Sequence, residues 1–115
     1  MPESCLFCRI VAGEIPADFV YRDDEMVAFR DIHPVASTHI LLVPREHIVS
    51  MKDLEPGHEG LMGRMMLRVR ALAEAEGVAD AGFRLVVNNG PDGGQVVPHL
   101  HLHLIGGRRL KDRMG

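Results

Sequence analysis

The stretch HLHLHLIGG, His99 to Gly107, sets an imidazole at every second position with a leucine after each. In a strand, residues i, i+2 and i+4 share one side, whereas a helix would scatter them around its circumference. The pattern therefore predicts a strand with His99, His101 and His103 on one face and Leu100, Leu102 and Leu104 on the other. The leucine face asks for burial and the histidine face for something polar. Thr, Lys or Glu would serve a merely half-exposed strand, and the chain has only seven histidines to distribute. Two chemistries suit such a face: metal ligation by neutral imidazole, or imidazole catalysis near neutral pH.

Just upstream, NNGPDGGQVV (88–97) packs three glycines into five residues and delivers the chain onto the histidine strand. Such a loop lets backbone N–H groups converge on a phosphate, although hairpin turns are glycine-rich for steric reasons alone. Asn88 reads first as a turn residue. Before it, FRLVVNN (83–89) reads as a strand, and Gly57–Glu76 as an amphipathic helix closed by Gly77. Its apolar stripe is Leu61, Met62, Met65, Met66, Val69, Leu72 and Ala73, with Met51, Met62, Met65 and Met66 read as core. A stripe this wide on a small chain also suits a dimer face.

HILLVPR (39–45) is a central strand ending at Pro44, and DFVYRDDEMVAFRDI (18–32) is a hairpin turning through Asp23–Glu25. SCLFCRIVAGEIP (4–16) is a short helix with Ser4 as N-cap and Gly13 near its end. Short connections between strands favour a mainly antiparallel sheet with one short N-terminal and one long helix, an α+β domain.

The 115 residues suffice for a single domain, 1–115, with a modest core. A net charge of −3 supplies no basic field for a polynucleotide, though a single nucleotide needs only a local site. No apolar run approaches a membrane span, and the start lacks the basic and apolar regions of a signal peptide. A cytoplasmic location follows as the expectation, with Cys5 and Cys8 as thiols or metal ligands in place of a disulfide. The CLFC motif (5–8) reads either as half of a zinc site, with histidines to complete it, or as two small apolar residues in a helix. His33 and His58 read as solvated. His47 has no role assignable from spacing, and His39 reads as a structural histidine bonded to backbone.

Taken in order, FCRIVAGEIPA, AFRDI, THILLVPREHI, VVNNG, GGQVVPH and HLHLHLIGG resemble the histidine-triad (HIT) family, its Hint branch in particular, from about Cys5 to Arg109. The resemblance implies a two-fold dimer with one continuous sheet and a purine nucleotide hydrolase of the phosphoramidase type. His101 would be the nucleophile that forms a nucleotidyl-histidine. His103 would contact the phosphate and assist the leaving group, with His99 and His39 as orienting neighbours. The backbone of Gly94, Gln95 and Val96 would hold phosphate oxygens. Leu6, Phe7, Ile10, Phe29, Ile32 and Leu41 would wall the purine, Asp31 would take the ribose hydroxyls, and Asn88 would lie beside the sugar-phosphate.

The resemblance also implies a structural zinc on Cys5, Cys8, His47 and His99, and no cofactor for catalysis. Two departures bear on specificity: Val96 stands where many members carry serine, and the tail GGRRLKDRMG lacks an aromatic ending. Arg108, Arg109, Lys111 and Arg113 of that tail read as solvated. The alternatives are a dinucleoside polyphosphate hydrolase, a nucleotide-binding scaffold with incidental turnover, and an enzyme with all three triad imidazoles on one catalytic ion.

Overall fold

A computed structural model describes residues 4–112. Arg113 of the tail lies outside them. The chain runs α1 (Leu6–Val11), β1 (Phe19–Arg22), β2 (Met26–Arg30), β3 (Thr38–Pro44), α2 (Glu59–Ala75), β4 (Phe83–Val86) and β5 (Leu102–Gly106). The five strands form one sheet in the order β1-β2-β3-β5-β4, each antiparallel to its neighbour. This is the expected α+β architecture. No helix of the described residues is long and apolar enough to cross a membrane.

The two faces of the sheet carry separate cores. On one, Met26, Ala28, Ile40, Leu42, Leu102 and Leu104 pack against Leu61, Met65, Val69, Leu72 and Ala73 of α2. On the other, Val27, Phe29, Leu41 and Val43 meet Cys5 and, from α1, Phe7, Cys8 and Ile10. β3 is buried along its whole length because both layers cover it. The β1–β2 turn is fixed by Asp23, whose Oδ1 accepts the N–H groups of Glu25 and Met26 at 2.8 and 2.9 Å.

Several local expectations are corrected. The N-cap of α1 is Cys5, whose Sγ accepts the Cys8 N–H at 3.3 Å, and Ser4 takes no part in the cap. Gly13 at φ 80° does end the helix, with N–H bonds from Gly13 to Ile10 and from Glu14 to Arg9. α2 starts at Glu59, behind a 3-10 turn over Pro56–His58. Of the four methionines read as core, Met65 is buried and Met62 half-buried, while Met51 and Met66 are about half exposed. β4 stops at Val86, short of the asparagines.

The histidine strand is shorter than its alternation suggests. Only Leu102–Gly106 is in the ladder, with Leu41 opposite His103 and Leu42 opposite Leu102. Continuing that register sets Pro44 opposite Leu100, and Pro44 has no N–H to give. Leu100 N–H turns instead to the carbonyl of Ile48, at 2.7 Å. The leucine face is buried as expected, but so is most of the histidine face, because α1 lies over it: His99 is fully buried and His101 is 6% exposed.

Candidate active site

The α1 face of the sheet opens into a cleft of about 490 Å³ whose floor includes His101 and His103. Leu6, Phe7 and Ile10 reach it from α1, Phe29 from β2 and Leu41 from β3. Asp31 and Ile32 come from the turn after β2, and Asn88, Gly94 and Val96 from the glycine loop. The lining is apolar with a few convergent polar groups, the usual make-up of a small-molecule site. Ile32 and Val96, 85% and 90% exposed, stand at its mouth.

Hydrogen-bond partners assign the imidazole tautomers. His101 Nδ1 donates to the carbonyl of His99 at 2.7 Å, so the Nε2 lone pair is the free one. Phe7 packs edge-on against the His101 ring, centroids 5.0 Å apart, and itself leans on Phe29. Burial pulls the His101 pKa below the usual histidine value, only partly offset by the bond to the His99 carbonyl. His103 is pushed down to about 4, first by burial and then by the neighbouring His101 and His39. Both imidazoles are therefore largely neutral at pH 7, the form in which His101 Nε2 keeps the lone pair that a nucleophile needs.

His39 joins the group from β3. Its Nδ1 accepts the Val35 N–H at 3.2 Å, and its Nε2 lies 3.0 Å from His103 Nδ1 and 3.4 Å from Asp31 Oδ2. His99 does not line the cleft. Its Nε2 donates to the carbonyl of Pro44 at 2.8 Å, which aims Nδ1 at Cys5 Sγ, 3.3 Å away, and Cys8 Sγ, 3.5 Å away. His47 Nδ1 approaches Cys8 Sγ at 3.1 Å. The triad rings thus point to different partners, and among the described residues no ion-sized cluster contains all three. A single catalytic ion on the triad does not fit this arrangement.

The glycine loop departs from expectation. Gly94 N–H donates to Pro91 and Gln95 N–H to Gly90, both at 3.1 Å, so of the three N–H groups expected on a phosphate only that of Val96 lacks an acceptor among the described residues. The Gln95 side chain stays out of the cleft and braces the loop: its amide bonds Gly90 N–H and the carbonyls of Val49 and Val97. Asn88 donates to the Gly93 carbonyl at 2.8 Å, its turn role, while also lining the cleft. Gly93 is obligatory, since a Cβ there would collide with the Asn89 carbonyl.

Sequence reading missed Ile15, Pro16, Ala17, Arg30, His33 and Val97 in the cleft wall. For Ile15, Pro16 and Ala17 the signal was Gly13, which ends α1 and turns the chain after it back toward the site. His58, read as solvated, accepts the Glu55 N–H at 3.0 Å and bonds Glu46 at 3.0 Å. Arg108, also read as solvated, donates from Nη2 to the Val35 carbonyl at 2.9 Å.

The HIT domain pattern matches residues 12–110 of the sequence. The chain belongs to the HIT family. A purine nucleoside phosphoramidase of Escherichia coli K12 is 47% identical to this HIT protein over 110 residues, covering 96% of this chain and 92% of the relative. The adenylylsulfatase HINT1 of Arabidopsis thaliana is 43% identical over 107 residues, covering 91% of this chain and 72% of the relative. Among solved structures, a HIT family hydrolase from Legionella pneumophila superposes with a TM-score of 0.95 at 46% identity, covering 97% of this chain and all of that one. A Zn-bound histidine triad protein from Mycobacterium smegmatis superposes at 0.78 with 34% identity, covering 97% of this chain and 80% of that one.

The Cys5, Cys8, His47 and His99 donors all lie within 4.8 Å of one another, and all but His47 are buried. Tetrahedral zinc with bonds of about 2.3 Å to sulfur and 2.0 Å to nitrogen would set its S and N ligands roughly 3.5 Å apart. The 3.1–3.5 Å separations fit, as does the Pro44 carbonyl holding the far nitrogen of His99. Burial, with the neighbouring Cys5 adding to it, raises the Cys8 thiol to about 11, so an ion bound there must displace its proton.

Proposed function

We propose that the chain, as a HIT-family nucleotide hydrolase, releases a purine nucleoside 5′-monophosphate from a P–N bond through a nucleotidyl intermediate on His101. The observation that carries this reading is the bond from His101 Nδ1–H to the His99 carbonyl, which frees Nε2 at the floor of the cleft. Nε2 attacks the α-phosphorus, the P–N bond breaks, and its electron pair leaves on nitrogen, which accepts the His103 hydrogen bond and takes up a solvent proton to depart as the neutral amine. Water then attacks the phosphorus, releasing the monophosphate and restoring the imidazole. His103 and the Val96 N–H serve the phosphate oxygens and leaving atom, Asp31 the ribose hydroxyls, and the apolar walls the base.

One observation favours a second leaving-group class, mixed anhydrides such as adenylyl sulfate. Val96, at the mouth of the cleft, offers no hydroxyl to the departing group, and anhydride leaving groups depart as stable anions without one. Zinc on Cys5, Cys8, His47 and His99 would cross-link α1 to the histidine segment as a closed structural site. No chemical step passes through it, and turnover without a cofactor is part of the proposal. Thiols at that site suit the reducing cytoplasm. Met66 and Leu67 on the outer face of α2, with the β4 edge and its exposed Phe83, fit a second copy of the chain that extends the sheet.

The test is hydrolysis of adenosine and guanosine phosphoramidates, adenylyl sulfate and diadenosine polyphosphates by wild type and His101→Ala, with and without chelator. Quenching a radiolabelled substrate in alkaline denaturant, where a phosphorus–histidine bond survives, should trap label on wild-type protein only. His101→Ala should lose turnover by several orders of magnitude, with chelator leaving wild-type turnover in place. Wild-type rates in the variant would sink the mechanism.

A further inference from the structure

Among the described residues, Asp31, His39 and His103 form a second cluster whose donor atoms lie as close together as those of the cysteine site. The distances are alike but the tautomers differ. His99 gives its Nε2 proton to a carbonyl and so presents a lone pair to the sulfurs. His39 does the reverse: its Nδ1 accepts the Val35 N–H, so its proton sits on Nε2, facing His103 Nδ1 and the Asp31 carboxylate. An ion on Nε2 would drive that proton to Nδ1, against the Val35 N–H.

The cluster is instead a hydrogen-bond chain with a direction. Val35 N–H donates to His39, His39 Nε2–H donates to His103 Nδ1, and His103 keeps its proton on Nε2, the nitrogen left for the cleft. The direction is set at one end by a backbone N–H in an exposed turn, where Ile32, His33, Pro34 and Val35 are all exposed. That turn is held by the segment after β5. Arg108 Nη2 donates to the Val35 carbonyl, and Gly107, at φ 102°, passes so close to Ser37 that a Cβ would strike its hydroxyl.

We propose that Arg108 is a positioning residue for the leaving-group step: by pinning residue 35 it fixes the direction of the Val35–His39–His103 chain and keeps His103 a donor to the leaving atom. The inference rests on the nucleotidyl-transfer reading above. With the turn released, the Val35 N–H no longer holds Nδ1 as an acceptor, and only the Asp31 carboxylate, 3.4 Å from Nε2, still favours the proton there, so His39 can carry its proton on Nδ1 for part of the time. The chain then reverses, and His103 turns a lone pair toward an atom that is gaining electron density. A leaving group that departs as a stable anion tolerates this. An amine does not, because it depends on a donor as the P–N bond breaks.

The test compares wild type, Arg108→Ala and Arg108→Lys on two substrates, an alkylamine phosphoramidate and the p-nitrophenyl ester of the same nucleoside monophosphate. Long-range ¹H–¹⁵N spectra of histidine-labelled protein report the tautomers of His39 and His103 independently of activity. Arg108→Ala should lower kcat on the phosphoramidate by about tenfold, a fraction of the 10²–10⁴ that a fully positioned donor supplies. KM and the ester rate should hold, Arg108→Lys should recover part of the loss, and the variant should show both tautomers at His103. Equal slowing of both substrates, no slowing of either, or a wild-type His103 protonated on Nδ1 would overturn the proposal. If wild type cleaves neither substrate, the functional reading falls, and the spectra still decide the direction of the chain.

Discussion

Loading the cysteine–histidine cluster with zinc should raise the melting temperature by about 10 °C. An ion present at a hundredfold excess over its dissociation constant stabilises the folded chain by about 2.7 kcal/mol. Unfolding entropy of about 2.1 cal/mol/K per residue, over 115 residues, gives roughly 0.24 kcal/mol/K at the midpoint, and the quotient is about 11 °C. The assay is a thermal melt of chelator-treated protein against zinc-loaded protein, with bound metal counted on the same samples. Because Cys8 must give up a proton near pH 11 to ligate, zinc uptake should release protons and weaken as the pH falls. Cys8→Ala should abolish the shift. A full shift in that variant, or bound zinc that leaves the wild-type midpoint unmoved, would refute the assignment of these four residues.

Phe7→Ala empties the space between Phe29 and the His101 ring, and urea denaturation should show a loss of about 3–5 kcal/mol. The pH dependence follows from His103, held near 4 when folded against about 6.5 unfolded, with His101 lowered in the same direction. Such depressed groups contribute stability that is complete above pH 6.5 and is lost as the pH falls through 6.5 toward 4, because the unfolded chain takes up protons first. Denaturation midpoints should therefore decline across that window, while kcat/KM stays level below pH 6.5, where an ordinary imidazole nucleophile would already be protonated. In sedimentation velocity, wild type should sediment as a dimer, and the Met66→Glu, Leu67→Glu double variant as a monomer that stays folded by circular dichroism.

The sheet, the hairpin and both helices could be read from the sequence because each rests on a local pattern. The alternation at His99–Leu104, the three- and four-residue spacing of α2, and Asp23 at a tight turn all act within a few positions. What stayed hidden depends on partners far along the chain. Nothing near Leu100 announces that Pro44, more than fifty residues earlier, closes the ladder, nor does the glycine loop reveal that the N–H groups of Gly93, Gly94 and Gln95 are spent on its own turn. The cleft residues Leu6, Ile10 and Leu41 look like plain core when read alone, and only family resemblance gave them a wall to form. Arg108 as a tie was out of reach for the same reason, since the Val35 carbonyl is seventy-three positions from its donor, whereas the Cys5 cap is local and stayed hidden because a thiol is an unusual N-cap.

The alternation of β5 also guards the folding of the strand. A slip of one residue against β3 would carry His101 and His103 in among Leu61, Met65 and Val69 of α2, and would turn Leu102 and Leu104 into the cleft. Imidazoles entering an apolar layer without partners cost several kcal/mol, so the shifted pairing has no foothold at equilibrium. The neighbouring strand β4, short and with no polar alternation of its own, takes its alignment from β5 through pairs such as Val86 with His103. The histidines of the cleft thus act on every newly made chain before any substrate arrives, by making the one correct alignment far cheaper than its nearest competitor.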